Sequence, residues 1–133
     1  MKTYLVTGGA GFIGSNFIQY LLRMHEDIRV VNVDVLTYAG NLENLSAYEH
    51  DSRLVFEQVD IRDRVALARL FEKYAPTYVV NFAAESHVDR SIEDPGAFAD
   101  TNVMGTVALL STAKAAWDDG CGDFGDHIYL QVS

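Results

Sequence analysis

The chain has 133 residues, 49% of them hydrophobic and 22% charged, which fits one compact domain with a buried core and excludes a disordered chain. No apolar run approaches the about 20 residues of a membrane-spanning helix, so no membrane role is expected. A net charge of -9 and a pI near 4.7 give no general attraction for nucleic-acid backbones or anionic lipid, so any phosphate ligand must be held locally.

Strand-length apolar runs alternate along the chain with longer helical patterns. The opening Met1-Lys2-Thr3 leads into Tyr4-Leu5-Val6, the first predicted strand. That stretch is too short for the about 7–15 residues of a secretory h-region, and the protein is read as cytoplasmic. Phe12 to Met24 follows, with Phe17, Ile18, Leu21 and Leu22 on one helical face. Val30 to Val33 is the second strand, and a loop with a short helix runs through Asn41 to Leu45. Leu54 to Phe56 is the third strand. Val65 to Tyr74 reads as a helix with Asp63 at its N-cap. Tyr78 to Phe82 is the fourth strand. Pro95 to Trp117 is a long helix, with Asp94 as N-cap and proline at the first position. Asp118 to Asp126 mixes four aspartates with three glycines and the single Cys121. It lacks the closing glutamate of an EF-hand loop and reads as a solvated connection, with no metal. A lone cysteine cannot form an intrachain disulfide, which suits a reducing compartment. His127 to Val132 is the fifth strand. Continuous apolar strands in β-α-β order predict an α/β fold with a doubly wound parallel sheet, buried on both faces.

The segment between the first strand and the first helix reads Thr7-Gly8-Gly9-Ala10-Gly11-Phe12-Ile13-Gly14, with Gly8, Gly11 and Gly14 in a G-x-x-G-x-x-G pattern. It differs from the commoner G-x-G-x-x-G fingerprint but shares its physics. One glycine permits the tight turn, one lets backbone approach a pyrophosphate, and one lets helix pack on strand. The helix N-terminus then offers unpaired N–H groups to the anion, so an acidic protein needs no basic patch. Asp34 closes the second strand 20 residues beyond Gly14, where a carboxylate meets the ribose hydroxyls of a bound dinucleotide. A carboxylate there repels a 2′-phosphate, so NAD is favoured over NADP. Asp60, at the end of the third strand, is either an acceptor for the adenine amino group or a turn residue.

The glycine turn in this setting resembles the short-chain dehydrogenase/reductase superfamily, in its extended branch acting on nucleotide sugars. Two stretches, Asp34-Val35-Leu36-Thr37-Tyr38-Ala39-Gly40-Asn41 and Ala83-Ala84-Glu85-Ser86-His87-Val88-Asp89-Arg90-Ser91-Ile92, narrow it to the dTDP-glucose 4,6-dehydratase family. That resemblance implies a Rossmann-like NAD-binding domain and a nucleotide-sugar substrate, dTDP-glucose. It implies that Phe12 and Ile13 offer main-chain N–H groups at the turn. Leu36 and Thr37 flank the adenosine ribose after Asp34, and Asp60 and Ile61 bracket the adenine. Phe82, Ala83 and Ala84 line the cofactor. Glu85 and Ser86 sit where cofactor and substrate meet, with Ser86 on the sugar nucleotide. His87 either lines the pocket or orders its loop, and Thr101 approaches the cofactor. The implied reaction takes hydride from C4, eliminates water across C5 and C6, and returns the hydride to C6. A homodimer built through helices that include the long one is also implied.

The chemistry needs a base near the 4-hydroxyl and an acid/base carboxyl pair. No Tyr-x-x-x-Lys occurs in these 133 residues, and the chain ends Ile128-Tyr129-Leu130-Gln131-Val132-Ser133, where the family continues into its acid and base carboxyls. Residues 1–133 are therefore expected to be the N-terminal portion of the NAD-binding domain. The sheet would be truncated after its fifth strand, the catalytic residues would lie just after Ser133, and the piece would be inactive by itself. Rival readings are another NAD-dependent nucleotide-sugar epimerase or dehydratase, and a non-catalytic NAD-binding module.

Overall fold

The computed structural model describes residues 1–9, 12–35, 42–82, 104–118 and 125–132. In chain order the described elements are β1 (Lys2–Thr7), α1 (Phe12–Met24), β2 (Ile28–Val33), a 3-10 helix (Leu42–Tyr48), β3 (Leu54–Glu57), α2 (Arg64–Tyr74), β4 (Tyr78–Asn81), α3 (Gly105–Trp117) and β5 (Ile128–Gln131). The five strands are parallel and ordered β3-β2-β1-β4-β5. The order reverses between β1 and β4. In open α/β sheets that switch point opens a crevice at the carboxyl ends of the strands, where ligands bind.

Alternation along the strands divides the core in two. On one face Val6, Ile28 and Val30 meet Ile18, Leu21 and Leu22 of α1. On the other, Leu5, Val31, Val33 and Val79 meet Leu67, Leu70 and Phe71 of α2 and Leu109 of α3. Both layers sit on the same strands because successive side chains point to opposite faces. This is the doubly wound parallel α/β sheet expected from the sequence.

Helix boundaries follow local chemistry. Asp63 caps α2, its side chain accepting from the Ala66 N–H at 3.1 Å. Ala75 closes α2 in the left-handed region at φ 46°, its N–H donating to Phe71 O at 2.9 Å, and Pro76 follows. The Asp94–Pro95 start expected for the long helix lies outside the described residues.

Strand boundaries differ from the apolar runs. β1 takes in Lys2, Thr3 and Thr7, because the ladder with β2 runs unbroken from Lys2↔Ile28 to Thr7↔Val33. Pairing is a backbone property and does not stop where side chains turn polar. β3 ends at Glu57, so Asp60 does not close the strand. It opens the turn into α2, its carbonyl accepting from the Asp63 N–H at 2.9 Å. β5 is not buried on both faces, since Ile128 and Leu130 are 59% and 50% exposed. They stand on the α1 side of the sheet, and α1 packs over β1 and β2 rather than over β5.

Candidate dinucleotide site at the carboxyl ends of the strands

The site begins at the glycine turn. Gly8 has φ 74°, a conformation that carries no penalty only without a Cβ. Its N–H donates to Val33 O at 2.8 Å, tying the turn to the end of β2. A Cβ on Gly14 would collide with the Gly8 carbonyl and Gly9 Cα, both backbone. Gly14 thus lets α1 start directly against the turn, the helix-on-strand contact expected of the last glycine. Gly9, which the spacing left unassigned, is constrained by side chains rather than backbone: a Cβ there would strike Asn32 Oδ1 and Ile18 Cδ1. The only signal in the sequence was its adjacency to Gly8. Gly11 lies outside the described residues.

Phe12 and Ile13 begin α1 and are 78% and 64% exposed. Large apolar side chains at such exposure leave the first helical turn open at the surface. The N–H groups of that turn have no intrahelical partners. Ser15 Oγ and Asn16 Nδ2 both donate to Phe12 O, at 3.0 and 2.9 Å, and steady that turn from inside the helix.

Asp34 follows β2 at the same edge and is buried, with its N–H donating to Glu57 O at 3.2 Å. Asp60 is held by Arg62: Nη2 donates to Oδ2 at 2.6 Å, and the Arg62 N–H donates to Oδ1 at 2.8 Å. The Arg62 guanidinium, more than any other group, holds the Asp60 carboxyl below the usual carboxylate range. Ile61 is buried beneath the start of α3, where a Cβ on Gly105 would strike it. Phe82 follows β4, its N–H donating to Thr7 O at 2.8 Å and its ring 5.5 Å from that of Phe17.

One polar cluster at this edge had no sequence signal. The Thr7 hydroxyl donates to Asn81 Oδ1 across the switch point between β1 and β4. Asn81 Nδ2 donates to Gln131 Oε1 at 2.8 Å and Tyr129 Oη at 3.2 Å. The cluster locks the carboxyl ends of β1, β4 and β5 together, and burial pushes the Tyr129 hydroxyl upward. It fixes the end of β4 at the switch point.

The structure therefore brings Gly8, Phe12, Ile13, Gly14, Asp34, Asp60, Ile61 and Phe82 to the carboxyl edge of one sheet. Leu36, Thr37, Ala83, Ala84, Glu85, Ser86, His87 and Thr101 lie outside the described residues. Among the described residues no three His, Cys, Asp or Glu side chains are grouped to hold a metal, and no helix is long and apolar enough to cross a membrane.

Comparison with known proteins gives this arrangement a context. The sequence profile of the family described as GDP-mannose 4,6 dehydratase matches residues 5–131. The chain is 55% identical over 117 residues to the dTDP-glucose 4,6-dehydratase of Xanthomonas campestris, covering 88% of this chain and 33% of the relative. A crystal structure of dTDP-glucose 4,6-dehydratase from Bacillus anthracis, in complex with NAD, superposes with a TM-score of 0.82 at 39% identity, over 100% of this chain and 37% of that one. The dTDP-glucose 4,6-dehydratase of Streptomyces venezuelae, solved with NAD bound, gives 0.80 at 49% identity, over 86% of this chain and 36% of that one. The chain spans about a third of the length of the curated relatives it matches.

Proposed function

The chain belongs to the GDP-mannose 4,6 dehydratase family, and from that membership we propose that it supplies the N-terminal portion, residues 1–133, of the NAD-binding domain of a dTDP-glucose 4,6-dehydratase. The reading is supported by the likeness to enzymes of that name. The observation that carries it is the glycine cradle: two glycines admit no Cβ, and the helix start beside them is open, at the switch point of a parallel sheet. Those features fit a pyrophosphate, which needs close backbone approach and unpaired N–H groups.

On this reading Gly8, Gly11 and Gly14 shape the turn, and the Phe12 and Ile13 N–H groups receive the pyrophosphate. Asp34 accepts from the ribose hydroxyls, with Leu36 and Thr37 beside it. Asp60 and Ile61 border the adenine. Phe82, Ala83, Ala84 and Glu85 line the nicotinamide half, with Thr101 approaching from the long helix. Ser86 and His87 face the sugar nucleotide. When bound, NAD supplies a hydride acceptor for the sugar. The residues named here bind and orient it, and none of them is assigned proton transfer.

A homodimer is part of the proposal. A groove between α2 and α3 is lined by Ala68, Ser111, Ala115 and Ala116 together with the charged Arg64 and Glu72, a mixed surface on which a second copy could pack and pair charges. Val107 and Leu110 of α3 are exposed nearby in sequence. The single cysteine supports a cytoplasmic location.

The test is conversion of dTDP-glucose by the full-length protein, followed by chromatography and NMR. The expected product is dTDP-4-keto-6-deoxyglucose. Inversion of a UDP-sugar without loss of water would move the assignment to an epimerase. NAD binding with no turnover of any nucleotide sugar would favour a non-catalytic module. Residues 1–133 alone are expected to give no turnover.

A further inference from the structure

Asn32 has no task in the site described above. It lies in the strand run Val30-Val31-Asn32-Val33, is 1% exposed, and its Oδ1 has no hydrogen-bond partner among the described residues. An orphaned buried amide oxygen is costly, and each such group in a native structure asks for an explanation. Valine would suit a central parallel strand better.

Its position gives the explanation. Asn32 pairs with Val6 on β1 and Phe56 on β3, one residue before the end of β2. The space a Gly9 Cβ would fill is bounded by Asn32 Oδ1 and Ile18 Cδ1. The oxygen therefore presses on the inner side of the glycine turn, while the exposed Phe12 and Ile13 mark its outer side. An amide oxygen only accepts, and a pyrophosphate brings only acceptors, so the two do not pair. Among the described residues of the turn the Gly8 N–H is already given to Val33 O, which leaves the Gly9 N–H as the donor.

We infer that Asn32 is a positioning residue for the dinucleotide: in the bound state its Oδ1 accepts a hydrogen bond from the backbone N–H of Gly9. That bond clamps the inner side of the turn to β2 and leaves the outer N–H groups aimed at the pyrophosphate. An acceptor that is orphaned without ligand and satisfied with it favours the bound arrangement. The inference rests on the dinucleotide reading proposed above.

The experiment compares the wild-type full-length protein with Asn32→Val and Asn32→Thr, which share a shape and differ by one hydroxyl acceptor. Thermal unfolding reports stability, calorimetry reports NAD+ affinity, and ligand-observed NMR reports affinity for adenosine, which has no phosphate. Asn32→Val is expected to be at least as stable as wild type, because the orphan is gone. It is expected to bind NAD+ about tenfold more weakly, equivalent to about 1.4 kcal/mol, with adenosine unaffected. Asn32→Thr is expected to recover part of the NAD+ affinity. Equal NAD+ affinity in wild type and Asn32→Val overturns the inference, and so does an equal loss for NAD+ and adenosine. No difference between the valine and threonine variants also overturns it. Failure of the wild type to bind NAD+ overturns the dinucleotide reading itself, and this inference with it.

Discussion

The two ends of the sheet differ most around the glycine turn. At the amino ends of the strands most polar side chains pair within the protein, although Arg29 Nε is buried there without a partner among the described residues. Arg53 grips Asp51 through Nε and Nη2 at 3.0 and 2.7 Å, and Nη1 donates to His25 O at 2.6 Å. Trp117 Nε1 donates to Pro76 O at 3.0 Å, and His127, stacked on the Trp117 ring at 4.8 Å, donates from Nδ1 to Thr77 O. At the carboxyl ends of β1 and β2 the glycine turn excludes side chains, Asn32 Oδ1 is left without a partner, and Phe12 and Ile13 stand exposed. The amino end is a seam that holds helices on strands; at the carboxyl end the Thr7–Asn81–Gln131–Tyr129 cluster is paired too, and the opening is confined to the glycine turn and the start of α1. Stability and binding should therefore separate along the strand axis.

The sharpest break in that separation is Gly14→Ala. Its Cβ meets backbone that cannot yield, so the change should cost about 3 kcal/mol or more of stability and abolish NAD+ binding together with it. Urea unfolding and calorimetry on one preparation measure both. A mild loss would mean that α1 can slide away from the turn. Next is Trp117→Ala at the amino end, expected to cost about 3 kcal/mol through the lost ring contacts and the bond to Pro76 O. NAD+ affinity per folded molecule should stay unchanged, and a drop would show that the two ends are coupled.

Asp34→Ala should do the reverse of Trp117→Ala. Loss of charged hydrogen bonds to the ribose is expected to weaken NAD+ binding by about 2 kcal/mol while leaving the cooperative unfolding transition in place. Unchanged affinity by calorimetry would remove Asp34 from the ribose site. The smallest effect belongs to the Asp51–Arg53 pair. The Arg53 guanidinium lowers the Asp51 carboxyl below its ordinary value, so its contribution is fully present above an unfolded pKa of about 3.9. It is lost as the pH falls through the lower folded value. The stability difference between wild type and Asp51→Asn should be visible at neutral pH and vanish in acid, as chemical denaturation at stepped pH would show. A difference that persisted in acid would mean that packing, not charge, is what Asp51 provides.

Much of this was legible in the residues. The alternation of apolar runs with helical faces specified a parallel α/β sheet, and Phe12 to Met24 is helical over the span its periodicity indicated. Asp63 announced the start of α2, because an aspartate one residue ahead of a helical face can accept from the first turn wherever it occurs. Gly14 was readable for the same reason: a glycine in the first turn of a helix that follows a strand answers a local steric demand. Strand limits were less readable, since the ladder carries Lys2 and Thr7 along with their apolar neighbours.

By itself, then, the sequence determined the order of elements, the Asp63 cap and the glycine turn, all set by residues a few positions apart acting through local sterics and hydrogen bonding. Tertiary structure alone decided that Thr7 would meet Asn81, 74 residues away, that Asn32 would press on Gly9, and that β5 would show Ile128 and Leu130 on an open face. Those outcomes depend on which strands become neighbours and which face each helix covers, and no local spacing encodes that choice.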